Sequence, residues 1–319
     1  MAMRITGTFL DEISHDIPSQ NWGPEEWERE FQVMQAIGID TVVLIRCGYT
    51  RWMTYPSKVL AERQGCSMPP LDLVDLYLGL SQKYGMDFML GLYDSCDYWL
   101  NGQYQKEVDL TRQVVDEVWR MYGDRPAFKG WYLSQEVGRK EPQIVELYRQ
   151  IAEHCRSVSG GLPIMISPFV NGVRRPHLPE QAMKGLTGGM LPAEHRKAWE
   201  EILDGIADAI DILAFHSGGA GWEHMDEYLA ANTKVAHDRN LKSWEAVECF
   251  DRDTRIFFPP IKWEKLLLRL EAAERAGVEK IITFEFSSFM SPNSCWLSGK
   301  NLFRRYCAWA GLDWREIES

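Results

Sequence analysis

The sequence predicts an α/β fold, a (β/α)8 TIM barrel forming one domain over residues 1–319. Three observations predict it. Apolar strand-like runs alternate with amphipathic segments along the whole chain, about eight of each, and strict alternation implies a parallel sheet with helical crossovers. The strand runs are apolar on both faces, as parallel strands covered by helices must be. No GxGxxG follows the first strand, so the closed barrel is favoured over a dinucleotide-binding open sheet.

The elements follow in order. Residues 4–10 (RITGTFL) read as a strand and 25–38 (EEWEREFQVMQAIG) as a helix closed by glycine. Residues 40–49 (DTVVLIRCGY) are an apolar strand, 71–85 a helix, 86–94 (MDFMLGLYD) a strand and 108–123 a helix. FKGWYLSQE is the fourth strand and 144–158 its helix. Residues 162–170 form a strand, followed by a long loop and a helix at 198–207. The last units are strands at 209–217, 241–250 and 280–289, with helices at 226–240, 261–277 and 301–311.

Composition excludes several classes. The net charge of −11 disfavours a nucleic-acid partner, because a phosphate backbone needs a basic face. No run of about 18 apolar residues exists to span a membrane. The N-terminus passes straight into a strand without an apolar leader. Seven scattered cysteines, odd in number and without CxxC spacing, argue against a disulfide framework or structural zinc. Reduced thiols in a cytoplasm are expected, with a removed leader, and hence export, as the alternative.

The active site of such a barrel lies at the C-terminal ends of the strands. Read in order, those ends carry Asp11 and Glu12, then Arg46 and Tyr49, then Tyr93 and Asp94. Gln135 and Glu136 follow, then Asn171, His216, the pair Glu245 and Glu248, and Glu285. A whole rim of polar residues points to a carboxylate-rich cleft. Alternation puts Tyr132, Ser134 and Glu136 on one face of the fourth strand, toward the barrel interior. In the eighth it puts Thr283, Glu285 and Ser287 inward. In the seventh, Glu245 lies with Ser243 and Val247, and Glu248 with Trp244 and Ala246. Parity favours Glu245, and both glutamates reach the cleft only if the strand bulges or ends between them.

Thirteen tryptophans are many for this length. Trp27, Trp119, Trp199 and Trp263 fall within helices and read as packing residues. Among the loop aromatics (Trp22, Trp52, Tyr55, Tyr98, Trp99, Trp222 and Trp296), Trp99 and Trp296 are the candidates to stack on sugar rings. Glycoside hydrolysis needs two carboxyl groups across the scissile bond, and Glu136 with one glutamate of the seventh strand would face each other across the barrel mouth. The expected function is therefore cleavage of an O-glycosyl bond in an oligosaccharide or glycoconjugate, without cofactor or metal. Glu136 is then the general acid.

WYLSQE resembles the fourth-strand signature of clan A glycoside hydrolases, in which the strand ends in Asn-Glu and the glutamate is the acid/base. Here Gln135 stands in the asparagine's place. The stretches ITGTFLDEISHDIPSQNW, GIDTVVLIRCGY, GWYLSQE, VECF and FMSP resemble a family of glycosidase-like barrels labelled a domain of unknown function. That resemblance implies Glu248 as the strand-end nucleophile or base, with Glu245 as its rival. It also implies a Gln-Asp pair on the sixth strand, where this chain has HSGG.

Two other classes are weighed. A metal-dependent hydrolase or sugar isomerase would use Asp11, His216, Glu248 and Glu285 as ligands, but neither HxH on the first strand nor HExxH is present. A noncatalytic carbohydrate-binding barrel would share the aromatics without needing both glutamates. No GxSxG elbow supports an esterase, and Cys249 reads as a buried small hydrophobe. The long segments 50–70 and 171–195 are expected to wall the cleft.

Overall fold

The computed structural model describes residues 3–15, 17–173, 189–254 and 258–318. Eight parallel strands close into a barrel. They are β1 (Ile5–Leu10), β2 (Thr41–Leu44), β3 (Asp87–Gly91), β4 (Phe128–Leu133), β5 (Ile164–Ile166), β6 (Ile212–Phe215), β7 (Lys242–Glu248) and β8 (Lys280–Phe284). Each pairs with the next in chain order and β8 returns to β1, with Val43 beside Met89, Tyr132 beside Met165, Ala246 beside Ile282 and Thr283 beside Thr8. The fold class read from the alternation is the one observed.

The crossover helices are α1 (Pro24–Ile37), α2 (Leu73–Tyr84), α3 (Tyr104–Tyr122), α4 (Ile144–Ser159), α5 (Pro192–Leu203), α6 (Met225–His237), α7 (Trp263–Ala276) and α8 (Leu297–Ala310). Their starts are written locally. Pro24 opens α1, and the Glu26 carboxylate accepts the Gly23 N–H at 3.0 Å, satisfying a donor the helix cannot. Asp72 caps α2 by accepting the Asp75 N–H. Among the described residues, no helix is long and apolar enough to cross a membrane.

Two apolar layers hold the barrel. Phe9, Val43, Ile45, Met89, Tyr132, Met165, Ile212, Ala214, Ala246 and Ile282 fill its interior. The alternate strand residues, among them Trp131, Leu133, Val247 and Ile281, join the helices in an outer core that also holds Trp27 and Trp199. Trp22 packs edge-on against Trp27, with ring centroids 5.0 Å apart, and Tyr55 is buried, so these two loop aromatics serve packing.

Several expected boundaries move. The runs 40–49 and 86–94 each split: β2 and β3 stop at Leu44 and Gly91, and Gly48–Tyr49 and Tyr93–Asp94 join Trp52–Met53 in a small sheet above the barrel. Segment 50–70 therefore carries that strand and a helix, Lys58–Gln64, capped by Ser57. Helix α5 begins at Pro192 rather than 198, and the rest of the expected wall at 174–188 lies outside the described residues.

The largest correction is β8. It ends at Phe284, and Phe286–Phe289 is a helical turn capped by Glu285, which accepts the Ser288 N–H at 2.7 Å. Ile282 and Phe284 belong to the interior layer. Thr283 faces outward, donating to the Val247 carbonyl at 2.6 Å and touching Cys249 Sγ. The inward face assigned to Thr283, Glu285 and Ser287 is thus the outer one. The parity of β7 is also the reverse of the one favoured from sequence. Trp244 and Ala246 face the interior, so Glu248 points into the mouth without any bulge.

Candidate functional site

At the C-terminal mouth, hydroxyl groups close the last strand carbonyls. Ser134 donates to the carbonyls of Ile45 and Leu92 at 2.8 and 2.9 Å, and Ser167 to that of Ala214 at 2.7 Å. Above this ring lies a pocket of about 60 Å³. Its apolar floor comprises Phe9, Ile45, Ala246, Phe250 and Phe284. Its polar wall comprises Arg46, Glu136, Ser167, His216, Glu248 and Arg252.

His216, at the end of β6, stands between the two candidate carboxylates. Its Nε2 lies 3.5 Å from Glu136 Oε2 and its Nδ1 lies 3.4 Å from Glu248 Oε1. Glu136 also accepts from Tyr132 Oη at 2.7 Å, and Arg46 Nη2 is 3.9 Å away. Glu248 is the more enclosed, its side chain 1% exposed against 22% for Glu136. Arg252 grips it through Nε, at 3.1 and 3.0 Å from the two oxygens, and Nη2, at 2.7 Å. Arg269, from α7, adds a contact at 3.4 Å. The Arg252 guanidinium lies over the rings of Phe250 and Phe258, and Lys265 pairs with both neighbouring aspartates, Asp251 and Asp253.

Charge follows from this geometry. Burial by itself would raise the Glu136 carboxyl, but His216, Arg46 and Tyr132 outweigh it and hold the group at about 2. Burial opposes ionisation of Glu248 too, yet Arg252, His216 and Arg269 keep it well below the usual carboxylate range. Burial would strip the His216 proton, but the flanking glutamates raise the imidazole to about 9. At neutral pH the centre is an imidazolium between two carboxylates.

The HSGG stretch now has a physical reason. Ser217 donates to Glu245, and a Cβ at Gly218 would stand 1.9 Å from Glu248 Oε2. The turn after β6 comes so close to the carboxylate that only a glycine leaves room.

The structure separates the other expected site residues into groups. Asp94 lies against the site, its Oδ2 3.7 Å from Arg46 Nε and its Oδ1 accepting Trp99 Nε1–H at 2.9 Å. Trp99 lines a second groove that meets the first pocket at Glu136. Tyr49 stacks on His15 and lies under Arg46, and with Glu12 and Trp52 it lines a third depression. Gln135 turns away from the mouth, donating to the Tyr93 carbonyl at 3.1 Å and to Glu107 at 3.0 Å. Tyr93 is buried, its hydroxyl donating to the Thr50 carbonyl. Glu245 is buried behind β7, where burial raises it to about 7 against the opposing pull of Ser217 and Arg269. Glu285 is buried outside the pocket, and Trp296 caps α8. Asp11 accepts the Ile13 and Ser14 N–H groups, both at 3.0 Å.

The four residues weighed as metal ligands therefore divide, His216 and Glu248 in the pocket and Asp11 and Glu285 elsewhere. Among the described residues no group of three or more His, Cys, Asp or Glu side chains is arranged to hold a metal ion. Sequence reasoning missed Arg252 and Arg269. Arg252 had one available signal, a basic residue four positions after a strand-end glutamate (VECFDR).

Comparison with known proteins extends the picture. A crystal structure named "putative alpha-L-fucosidase", from Bacteroides thetaiotaomicron VPI-5482, is 45% identical, covers 98% of this chain and 94% of its own, and superposes with a TM-score of 0.91. The endo-1,4-β-D-mannanase of Thermotoga petrophila RKU-1 is 10% identical over 97% of this chain and 100% of its own, with a TM-score of 0.56. The family 1 β-glucosidase of Thermotoga maritima is 11% identical over 84% and 78%, with a TM-score of 0.54. At these identities the last two share the barrel alone. No curated protein matches. The family model for a domain of unknown function, DUF4434, matches residues 5–296, and the chain belongs to that family.

Proposed function

We propose that this protein is a glycoside hydrolase that cleaves an O-glycosyl bond of an oligosaccharide or glycoconjugate. One observation carries the reading: Glu136, just past the end of β4, and Glu248, at the end of β7, converge on the two nitrogens of His216 in one pocket. A glycosidase needs one carboxyl group to protonate the leaving oxygen and another to attack the anomeric carbon or activate water. Glu136, the more exposed, is the acid/base. Glu248, kept ionised by two arginines, is the nucleophile or base. The proton is stored on the His216 imidazolium and reaches the leaving oxygen through Glu136, because Glu136 itself is ionised in the free protein.

The apolar floor supports a sugar with an apolar face, such as a 6-deoxy methyl group. The 45% identical protein named for α-L-fucosidase activity makes an α-L-fucoside the first substrate to try. Seven cysteines without disulfides support a reducing, cytoplasmic setting. The test is a panel of aryl glycosides and plain oligosaccharides with wild type, Glu136→Gln and Glu248→Gln. Cleavage by wild type and loss in both folded variants is expected. Wild-type rates in both variants would overturn the assignment. Binding without cleavage of any member would favour a noncatalytic carbohydrate-binding barrel.

A further inference from the structure

Twelve of the thirteen tryptophans are buried or half-buried, and Trp52 alone is exposed, at 56%. Its indole makes no hydrogen bond or ring contact with another described residue. Its backbone, in contrast, is fixed. Trp52–Met53 pairs antiparallel with Gly48–Tyr49 in the small sheet above the barrel, with Trp52 directly opposite Tyr49. Opposite residues of a strand pair share a face, so the indole and the Tyr49 ring border the same depression.

That depression has a volume of about 290 Å³, at the lower end of ligand-sized sites. The pocket at Glu136 and Glu248 has about 60 Å³. The other wall of the depression is the loop after β1, with Glu12, Ser14 and His15. The Tyr49 ring stacks on His15, centroids 5.7 Å apart, and its Oη lies 3.1 Å from His15 Nδ1. Glu12 already accepts from Ser19 Oγ at 2.6 Å and from the Gln20 N–H at 3.1 Å, so it needs no cation, and its carboxylate disfavours an anion. An open aromatic face beside hydroxyl, imidazole and carboxylate groups suits a neutral sugar, which offers a C–H face to the ring and hydroxyls to the polar groups. The depression also adjoins the catalytic pocket. Arg46 lines that pocket, lies 5.0 Å from the centre of the Tyr49 ring and donates to Ser14 Oγ at 3.0 Å.

We propose that this depression is a second carbohydrate subsite, in which a neutral sugar unit of the substrate stacks on the Trp52 indole. This rests on the hydrolase reading for the claim that the sugar belongs to the substrate. Its binding claim is tested apart from turnover.

The experiment is fluorine NMR of the full-length Glu136→Gln protein labelled with 5-fluorotryptophan, with Trp52→Tyr identifying the Trp52 resonance. The probes are a fucosylated trisaccharide, cellotetraose, mannotetraose and xylotetraose. A saturable shift of the Trp52 resonance with at least one of them is expected. Trp52→Ala, placed on the same background, should weaken binding of that probe by about tenfold or more, the loss for one covered aromatic face. Trp52→Tyr keeps a flat ring and should retain most of the affinity. A Trp52 resonance that no probe moves, or a Trp52→Ala protein that binds as tightly as its parent, would overturn the proposal. Hydrolysis of the same probes by wild type is measured in parallel. Cleavage with an unmoved Trp52 resonance sinks the subsite alone, and a moved resonance without cleavage of any probe sinks the hydrolase reading alone.

Discussion

Arg252 holds Glu248 through three contacts between 2.7 and 3.1 Å, one guanidinium edge lying along both carboxylate oxygens. Side-on pairing of this kind is a strong, oriented charge-assisted interaction. It keeps a buried carboxylate ionised that burial alone would protonate. Arg252→Gln removes that positive charge while retaining a donor. The Glu248 carboxyl should then rise, and the acid limb of kcat/KM against pH should move up by about one to three units. Activity should therefore fall more at pH 5 than at pH 8. A pH profile that keeps its acid limb in place would show that Glu248 does not control it.

His216 gives the protein a distinct pH dependence of stability. Its folded value of about 9 lies above the ordinary 6.5. The stabilisation from its two carboxylate partners is therefore complete below about pH 6.5 and is lost as pH rises through about 9. At about 1.4 kcal/mol per unit, the loss is on the order of 3 kcal/mol. Urea unfolding of wild type should show this decline, and His216→Gln should show a shallower slope across the same window. Equal slopes would mean that the imidazole is neutral in the folded protein.

Glu285 behaves in the opposite sense to a paired carboxylate. Burial lifts it to about 8, against the pull of the Ser288 contacts. The folded state therefore holds this proton more tightly than the unfolded chain does. Stability falls as pH rises from about 4.5 to about 8 and stays lower above that. Glu285→Gln keeps an acceptor for the Ser288 N–H and carries no charge. It should stabilise the protein by roughly a few kcal/mol at pH 8.5 and leave it almost unchanged at pH 4. Thermal unfolding at the two pH values checks both halves of the expectation.

The barrel was legible because eight buried strands need eight apolar runs, and those runs are local in sequence. Glu136 was legible for the same reason, since Tyr132 and Ser134 share its face along an unbroken alternation. Alternation failed at β8, where the strand stops at Phe284 and the chain turns into a short helix capped by Glu285. It misled at β7 because Ser243 resembles a pocket residue, whereas the side chains that fill the barrel are Trp244 and Ala246. Gln135 reads as a sugar contact until the first turn of α3 brings Glu107 within 3.0 Å of its amide. Arg252 and Arg269 reach Glu248 from a loop and a helix 4 and 21 residues away. Such convergence is a product of tertiary structure and leaves no periodic trace.

Gly218 provides the most direct test of how tightly the site is assembled. A methyl group there would sit 1.9 Å from Glu248 Oε2 and 2.2 Å from its carboxyl carbon, far inside contact distance. Glu248 cannot yield easily, because Arg252 and Arg269 hold it from other directions. The turn itself is also held, since Ser217 is bonded to Glu245 and the Ala220 N–H to the Ser217 carbonyl. Gly218→Ala must therefore displace the carboxylate or the turn, and a displacement of about 1 Å at a reacting group lowers a rate by about 100-fold. The strands are untouched, so the fold should survive with a loss of roughly 1–3 kcal/mol. A loss of kcat of about 100-fold with a cooperative unfolding transition is expected. Unchanged kcat would mean that Glu248 is not required in the position the structure shows.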